Sequence, residues 1–507
     1  MRYGRKASAR AAVKALRAFV DGNKWRQRKG RYVPLHYIHG ITGVRGYDVI
    51  VVGAGPGGST AALTAAEAGM KVLVLERSRY PAEKNAGGFA LSSKAWRDFP
   101  FITGLELPSM RKGTQCVAHF LSPPPEMEER FCIASGPSGR MSYPEAREFF
   151  TVTMLRREFD RFLADKAEEA GAEVKFTSLV TGLAKDADNI AGVLLEGGDE
   201  YRAPVVIGAD GVMSQTARLA GLRDKWRPDE VISACAVDYS ASRERLDDVV
   251  HEANFQAYFG PGMGGNYLMC YADCVHIGGP GVTNSLISRV SRTRIKPARE
   301  LLETIQAPPV QRLLRAVDAV PREFHVHCVP WKDSMSDDVC AGGLMLVGDA
   351  AGLPEPLWAE GVWQAMYSGR LAAQVAREAI GEDDVSAASL ARYLDRLRES
   401  PVAREFVGGA QLRRLFEVLG DPRAAGEMTE MMVDLTVNMF MSGQEPKAQT
   451  VARAVPILME NLPVLMKLLG IYVPMIQEAG GELPPQLAAL GGMGALFGAA
   501  GGEEPQR

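Results

Sequence analysis

The spacing of apolar residues changes several times along the chain, and each change marks an element. Residues 47–52, Tyr-Asp-Val-Ile-Val-Val, form a continuous apolar run, as in a strand buried on both faces of a parallel sheet. A glycine-rich turn and an alanine-rich helical stretch follow through Gly69. Residues 71–76, Lys-Val-Leu-Val-Leu-Glu, then predict a second parallel strand, completing a βαβ unit of about 30 residues. The period turns helical over 151–170, with strands predicted at 173–177, 191–196 and 204–207. Residues 230–285 alternate polar and apolar positions and carry aromatics, the pattern of antiparallel strands. Another buried strand, 344–348, runs into a long helix over 359–379. The stretch 385–475 reads as mostly helical, and the Gly- and Ala-rich end from 478 reads as a partly disordered tail.

The first 45 residues differ from the rest. Residues 6–20 predict a short amphipathic helix with Val13, Leu16, Phe19 and Val20 on one face, and 21–45 read as a polar linker. This arm holds 12 basic residues and one acid, Asp21, so it carries +11. The formal charge of the whole chain is −3, which leaves −14 on the body. That balance excludes a uniformly basic nucleic-acid binder. A basic arm on an acidic body points to an anionic partner or membrane surface. A mitochondrial-type presequence has the same composition, and a tail without function is the third reading.

Seven cysteines are scattered with no CxxC pair. The spacing fits a reducing, cytoplasmic setting and provides no iron–sulfur ligand set. No secretory signal and no run of about 18 apolar residues is visible, so a spanning helix is not expected. Residues 455–476 are apolar but broken by Glu460, Lys467 and three prolines. They suit either a core helix or a segment dipping into a membrane interface, where peripheral association would bring a quinone within reach.

The sharpest chemical signal is Gly53-Ala54-Gly55-Pro56-Gly57-Gly58, a GxGxxG placed between the first strand and its helix. Gly53 permits the tight turn, Gly55 lets backbone reach a pyrophosphate, and Gly58 lets helix and strand pack closely. The helix N-terminus then offers free N–H groups to the diphosphate. Glu76 ends the next strand, where an acid accepts hydrogen bonds from adenosine ribose hydroxyls, and Arg77 follows it.

The fingerprint alone does not separate FAD from NAD. Two later segments do: Val205–Ser214, a strand entering Gly-Ala-Asp-Gly, and Gly342–Gly352, a strand ending in Gly-Asp-Ala-Ala. In this order and spacing the three segments resemble the FAD-binding domain shared by p-hydroxybenzoate hydroxylase, geranylgeranyl reductases and the electron transfer flavoprotein–quinone oxidoreductases. The resemblance implies an α/β fold of the glutathione reductase-2 type, with FAD as cofactor. It implies that Asp349, after Gly348, binds the flavin ribityl chain and that Asp210 braces the dinucleotide region. It also implies that the helix after Pro356 and Gly361 points its positive end at the flavin ring. Arg156 matches the family's Arg before a Phe-Asp pair near the flavin, while Arg157 reads as a solvated charge.

Several segments are similar to the FixC-like, quinone-oxidoreductase-related branch. Lys84-Asn85-Ala86-Gly87-Gly88 resembles that branch's Lys-Asn-Val-Thr-Gly-Gly turn, which puts Gly87 and Gly88 at the cofactor. Gly264–Leu268, His327–Pro330 and Met441–Lys447 resemble shorter segments of it. The chain departs from the family in having Ala359-Glu360-Gly361 where Gly-Glu-Gly is usual, and in lacking an iron–sulfur domain. The resemblance implies electron transfer between a flavoprotein or reduced substrate and a quinone or a ferredoxin-like subunit. Reduction of isoprenoid double bonds, as in geranylgeranyl reductases, is the alternative. A flavin monooxygenase and a FAD-bearing relay subunit without its own substrate are further readings.

The implied layout is a basic arm at 1–45 and FAD-binding parts at 46–125, 126–229 and 331–384. An inserted antiparallel-sheet substrate domain occupies 230–330, a helical region 385–480 and a flexible tail 481–507. No catalytic acid or base is assigned. Cys270, Cys274 and His276 are too few for a metal site, and no metal is expected. His327 reads either as a substrate-side group or as a structural histidine, and Trp358, Trp363 and Tyr367 read as flavin neighbours or core.

Overall fold

The computed structural model describes residues 45–83, 87–91, 94–121, 129–135, 151–259, 266–281, 297–419, 435, 447–462 and 466. The basic arm before residue 45, the Lys84–Ala86 turn, the Met441–Pro446 segment and the tail lie outside the described residues.

The central element is a six-stranded sheet in the order Cys340–Ala341, Leu344–Leu346, Val205–Gly208, Val49–Val52, Val72–Leu75, Glu173–Lys175. All neighbours are parallel except the short pair at the 340 edge. Val49–Val52, Val72–Leu75 and Val205–Gly208 are buried at every position. Helices cover such a sheet on both faces, so its strands have no polar side.

The helix Pro56–Glu67 starts at Gly55 with proline in its first turn, where the missing N–H costs nothing. It crosses the long helix Val362–Gly381 at unusually short range. A side chain at Gly369 would sit 2.1 Å from the Gly57 carbonyl oxygen, so only glycine permits the crossing. That contact brings the N-termini of both helices to the same edge of the sheet.

A seven-stranded sheet runs Val320–Pro330, Val231–Ser240, Cys274–Gly281, Asn266–Cys270, Phe255–Phe259, Gln115–Leu121, Glu129–Ser135. Its pairs are antiparallel except Phe255–Phe259 with Gln115–Leu121, which is parallel. Two of its strands thus come from 115–135, a segment that the sequence layout gives to the FAD-binding parts. A parallel partner needs a long crossover connection, and local spacing carries no trace of such a pairing.

The two faces of this sheet differ. Cys235, Tyr239, Tyr258, Leu268, Val275 and Ile277 point one way into an apolar core with Leu301, Val310 and Leu314 of the helices Pro297–Gln306 and Pro308–Ala316. Residues of opposite parity point the other way, toward the strands Gly88–Leu91 and Thr151–Leu155.

The expected helix over 151–170 is a strand, Thr151–Leu155, followed by a helix, Arg156–Glu169. Thr-Val-Thr favours the pleated conformation, because branching at Cβ crowds a helical turn. All five strand residues are buried between Gly88–Leu91 and Arg111–Gly113. In the C-terminal part the described helices are Ala387–Leu390, Arg392–Glu399, Pro401–Leu419 and Lys447–Glu460. No described helix is long and apolar enough to cross a membrane.

Candidate functional site

The cradle begins with backbone. Gly53 has φ +104°, and a side chain there would lie 2.5 Å from the Ala209 carbonyl oxygen. A side chain at Gly58 would lie 1.9 Å from the Gly53 carbonyl oxygen. At Gly55 the opposite holds, since nothing lies within 4 Å of an added Cβ. The turn is closed on its protein side and open where the helix presents its first N–H groups, which lack intrahelical partners. An anionic diphosphate fits that opening.

Glu76 shapes the neighbouring corner. Its carboxylate accepts from the Ala54 amide at 2.9 Å and from the Ser78 amide at 2.8 Å, one on each oxygen. Each oxygen keeps a lone pair for a hydroxyl donor. Arg77 is exposed beside it. Asp210 faces inward. It accepts from the Ser214 hydroxyl at 2.5 Å and from the Thr216 amide and hydroxyl at 2.8 and 2.9 Å. It therefore anchors the start of the helix Gln215–Leu219 and fixes the backbone against which Gly53 packs.

The far side of the opening is the turn Gly348–Ala351. Gly348 has φ +57° and donates its amide to the Ser368 hydroxyl at 3.1 Å. A side chain at Gly57 would meet Val347 at 3.2 Å and the Ala365 carbonyl at 3.1 Å, so the two turns pack directly together. Asp349 lies deep yet part-exposed, with Gly361 against its carboxylate. Burial pushes its carboxyl up to about 6, and the charge of Arg156 pulls in the opposite direction.

Arg156 forms a bidentate pair with Asp160 through two bonds of 2.8 Å and leans over the Phe89 ring. Its amide donates to the Gly87 carbonyl at 3.1 Å, which ties Gly87 and Gly88 to this corner. Pro356 is buried, and its carbonyl accepts from the Trp331 indole. Ala359, where the family carries glycine, has φ +54°. That left-handed conformation strains any residue with a side chain.

Packing joins the Gly57 and Gly348 turns, Gly361 lies against Asp349, Asp349 senses the Arg156 charge, and Arg156 is tied to Gly87, so these predicted residues are neighbours. A dinucleotide suits this donor set: helix N–H groups for phosphates, a carboxylate for ribose hydroxyls, and an Arg–Asp pair for a polyol chain.

The seven-stranded sheet carries polar side chains on the face beside Gly87. Asp238, His276 and His325 are adjacent across three strands, with His276 Nδ1 at 2.6 Å from Asp238 Oδ1 and His325 Nε2 at 3.0 Å from Asp238 Oδ2. Asp238 and His276 are each 1% exposed. Burial alone would raise the Asp238 carboxyl, but the hydrogen bonds from His276 and His325 hold it well below the ordinary range. The triad sits directly under Gly87, where an added side chain would meet His276 Nδ1 at 2.8 Å. His327, two residues along the same strand face, is pushed down to about 4 by burial and by the charges of Arg156 and Arg77. It lies within reach of the Arg156 and Arg77 charges. The sequence drew attention to His276 and, separately, to the strand that carries His325 and His327; Asp238, an acid among the apolar residues of Val231–Ser240, is the signal that could have joined them.

A second cluster was invisible in the sequence. Lys94 Nζ lies 2.5 Å from Glu405 Oε2, and Lys447 Nζ lies 3.5 Å from the same oxygen and 3.7 Å from Glu355 Oε2. All four side chains are buried. Burial depresses the Lys94 ammonium, whereas carboxylate neighbours raise that of Lys447 despite burial. The cluster pins the helices Pro401–Leu419 and Lys447–Glu460 to the loop that precedes the helix Val362–Gly381.

Cys270 and Cys274 are buried thiols, and burial pushes Cys270 up to about 12. Trp363 packs in the core and donates to Asp98 at 2.8 Å. Among the described residues, the carboxylate–imidazole group that approaches metal-ligand spacing is Asp238, Glu323 and His325. The Arg322 guanidinium, 3.6 Å from Asp238, opposes a cation there.

The chain matches the family described as FAD dependent oxidoreductase over residues 48–226. It is 34% identical over 357 residues to digeranylgeranylglycerophospholipid reductase 1 of Methanopyrus kandleri, covering 70% of this chain and 86% of that protein. Protein FixC of Bradyrhizobium diazoefficiens is 32% identical over 382 residues, covering 71% of this chain and 82% of FixC. Among solved structures, a geranylgeranyl bacteriochlorophyll reductase-like protein from Thermoplasma acidophilum aligns with a TM-score of 0.65 at 24% identity, over 84% of this chain and 99% of that one. The flavin-dependent brominase Bmp2 aligns with a TM-score of 0.57 at 18% identity, over 80% of this chain and 98% of its own. These two structural likenesses establish the fold.

Proposed function

Because the chain belongs to the geranylgeranyl reductase and FixC family of FAD-dependent oxidoreductases, we propose that it reduces carbon–carbon double bonds of an isoprenoid lipid. The observation that carries this reading is the set of relatives at 30–34% identity. They include seven digeranylgeranylglycerophospholipid reductases alongside FixC. They favour prenyl reduction over the FixC-like electron transfer that the short sequence segments favoured.

FAD, when bound, supplies the hydride for such a reduction. Gly53, Gly55, Pro56, Gly57 and Gly58 hold the diphosphate at the helix N-terminus, and Glu76 takes the adenosine ribose, with Arg77 alongside. Asp349 and Arg156 hold the ribityl chain, and Gly87, Gly88, Gly348, Pro356 and Gly361 shape the flavin's surroundings. Asp210 acts one step removed, by fixing the Gly53 turn. The N-terminus of the helix Val362–Gly381 favours negative charge on the reduced ring.

FixC similarity supports a second reading, in which electrons pass between a flavoprotein or ferredoxin-like partner and a quinone. The basic arm suits either reading, because +11 near an anionic bilayer places the enzyme where lipid or quinone resides. Purified holoprotein reduced with dithionite separates the two. Saturation of geranylgeranyl diphosphate supports the first reading; rapid reoxidation by a soluble quinone with no prenyl reduction overturns it. Deleting residues 1–45 is expected to keep FAD and weaken binding to anionic vesicles; unchanged vesicle binding removes the arm from this account.

A further inference from the structure

Double-bond saturation consumes one hydride and one proton, and the residues around the dinucleotide space include no assigned proton donor. We propose that His276, fixed by Asp238 and backed by His325, holds at Nε2 the proton that this reduction consumes. The inference rests on the isoprenoid-reductase reading.

The hydrogen-bond geometry assigns the protons. Asp238 is ionised, so its oxygens only accept. His276 must therefore donate through Nδ1 and His325 through Nε2. This leaves His276 Nε2 and His325 Nδ1 as the positions that gain or lose a proton.

Register shows where Nε2 points. On the face toward the cofactor, His325 pairs with Ala236, Ala236 with Gly278, and Gly278 with Tyr267. Small residues thus floor the middle of that row. A side chain at Gly278 would lie 3.2 Å from His276 Nε2 and 3.1 Å from the Tyr267 hydroxyl. The imidazole and the hydroxyl converge on the volume that glycine leaves empty. Tyr267 is part-exposed while His276 is 1% exposed, so the hydroxyl is the contact through which the proton leaves. Its own pKa, raised to about 12 by burial and by Asp238, keeps it protonated between turnovers.

The step balances. The π bond breaks and two C–H bonds form. The hydride and its electron pair come from reduced FAD, which an external reduced electron carrier replenishes. Tyr267 gives its hydroxyl proton to the second carbon as His276 Nε2–H reprotonates the oxygen. His276 is left neutral and still bonded to Asp238. The more exposed His325, whose side chain is 10% exposed, connects the group to solvent. The other charged groups facing it are Arg322, at 3.6 Å from Asp238, and Glu323, at 3.9 Å from His325. They carry opposite charges and leave the balance to Asp238.

The test uses dithionite-reduced holoprotein with geranylgeranyl diphosphate, and scores prenyl reduction against reoxidation by a soluble quinone, which needs no fixed donor. In His276→Gln and Gly278→Ala the ratio is expected to fall about 100-fold. Wild-type kcat is expected to decline with rising pH, and that decline should vanish in His276→Gln. An unchanged ratio and pH profile in both variants overturns the proposal. A wild-type enzyme inert toward the prenyl substrate overturns the functional reading instead. Histidine 15N spectra of the holoprotein then decide the proton store. A His276 Nε2 that follows pH in the wild type, and loses that response in Asp238→Asn, supports it; a pH-invariant Nε2 overturns it.

Discussion

The turns at the end of the six-stranded sheet present backbone, whereas the seven-stranded sheet presents titratable side chains on the face beside Gly87. On the first, Gly53 and Gly58 leave no room for a side chain on the protein side, and the backbone is open at Gly55. On the second, Asp238, His276, His325 and His327 stand on one face of adjoining strands, opposite an apolar core. The difference teaches that binding and proton handling are built by different means. A phosphate site needs fixed N–H groups, which glycine turns supply at any pH. A proton site needs groups whose charge changes, and burial with a shared carboxylate controls them.

The most damaging change belongs to the backbone side. Gly58→Ala puts a methyl 1.9 Å from the Gly53 carbonyl, and the turn must open to relieve it. Loss of about 3 kcal/mol, or roughly 100-fold in FAD affinity, is expected. FAD content on purification checks this; normal loading would break the claim that this surface tolerates only glycine.

Asp349→Asn is the next in size. It is expected to weaken FAD binding by about 10- to 100-fold through the lost charged acceptor. In the apoprotein its effect on stability has the reverse sign at high pH. The folded carboxyl sits at about 6 against an ordinary 3.8. Its stabilising contribution is full below 3.8 and is lost as pH rises through about 6. The variant should remove that dependence between about pH 4 and 6, as read from Tm against pH.

His327→Gln sharpens the contrast from the other sheet, with the opposite window. A folded imidazole at about 4, against an ordinary 6.5, contributes stability above 6.5 that is lost as pH falls through about 4. The variant should flatten the acid side of the Tm profile and leave FAD content unchanged.

Ala359→Gly carries the smallest effect. Relief of a left-handed alanine is expected to stabilise the holoprotein by about 1 kcal/mol. A lower Tm would show that the methyl group makes a contact that outweighs the strain.

The same division explains what the sequence revealed. Gly53, Gly55, Gly58, Glu76 and Asp349 lie in short segments whose spacing has a physical reason, so each could be singled out as a candidate from its local sequence. The group on the other sheet joins Asp238 to residues 38 and 87 positions away. Cross-strand register brings them together, and no local period encodes register. The Lys94, Glu355, Glu405 and Lys447 cluster is equally non-local. Thr151–Leu155 was misread for a related reason: pairing on both sides decided its conformation over an ambiguous local pattern.

The most direct test of the account is single-turnover reduction in deuterated water. Dithionite-reduced holoprotein is mixed with geranylgeranyl diphosphate and the product is analysed by mass spectrometry. The account predicts two deuterium atoms added at each reduced double bond, because the hydrogen carried by dithionite-reduced FAD and the proton delivered through the His276–Asp238 group both come from solvent. Oxidised flavin with an unaltered prenyl chain would contradict it.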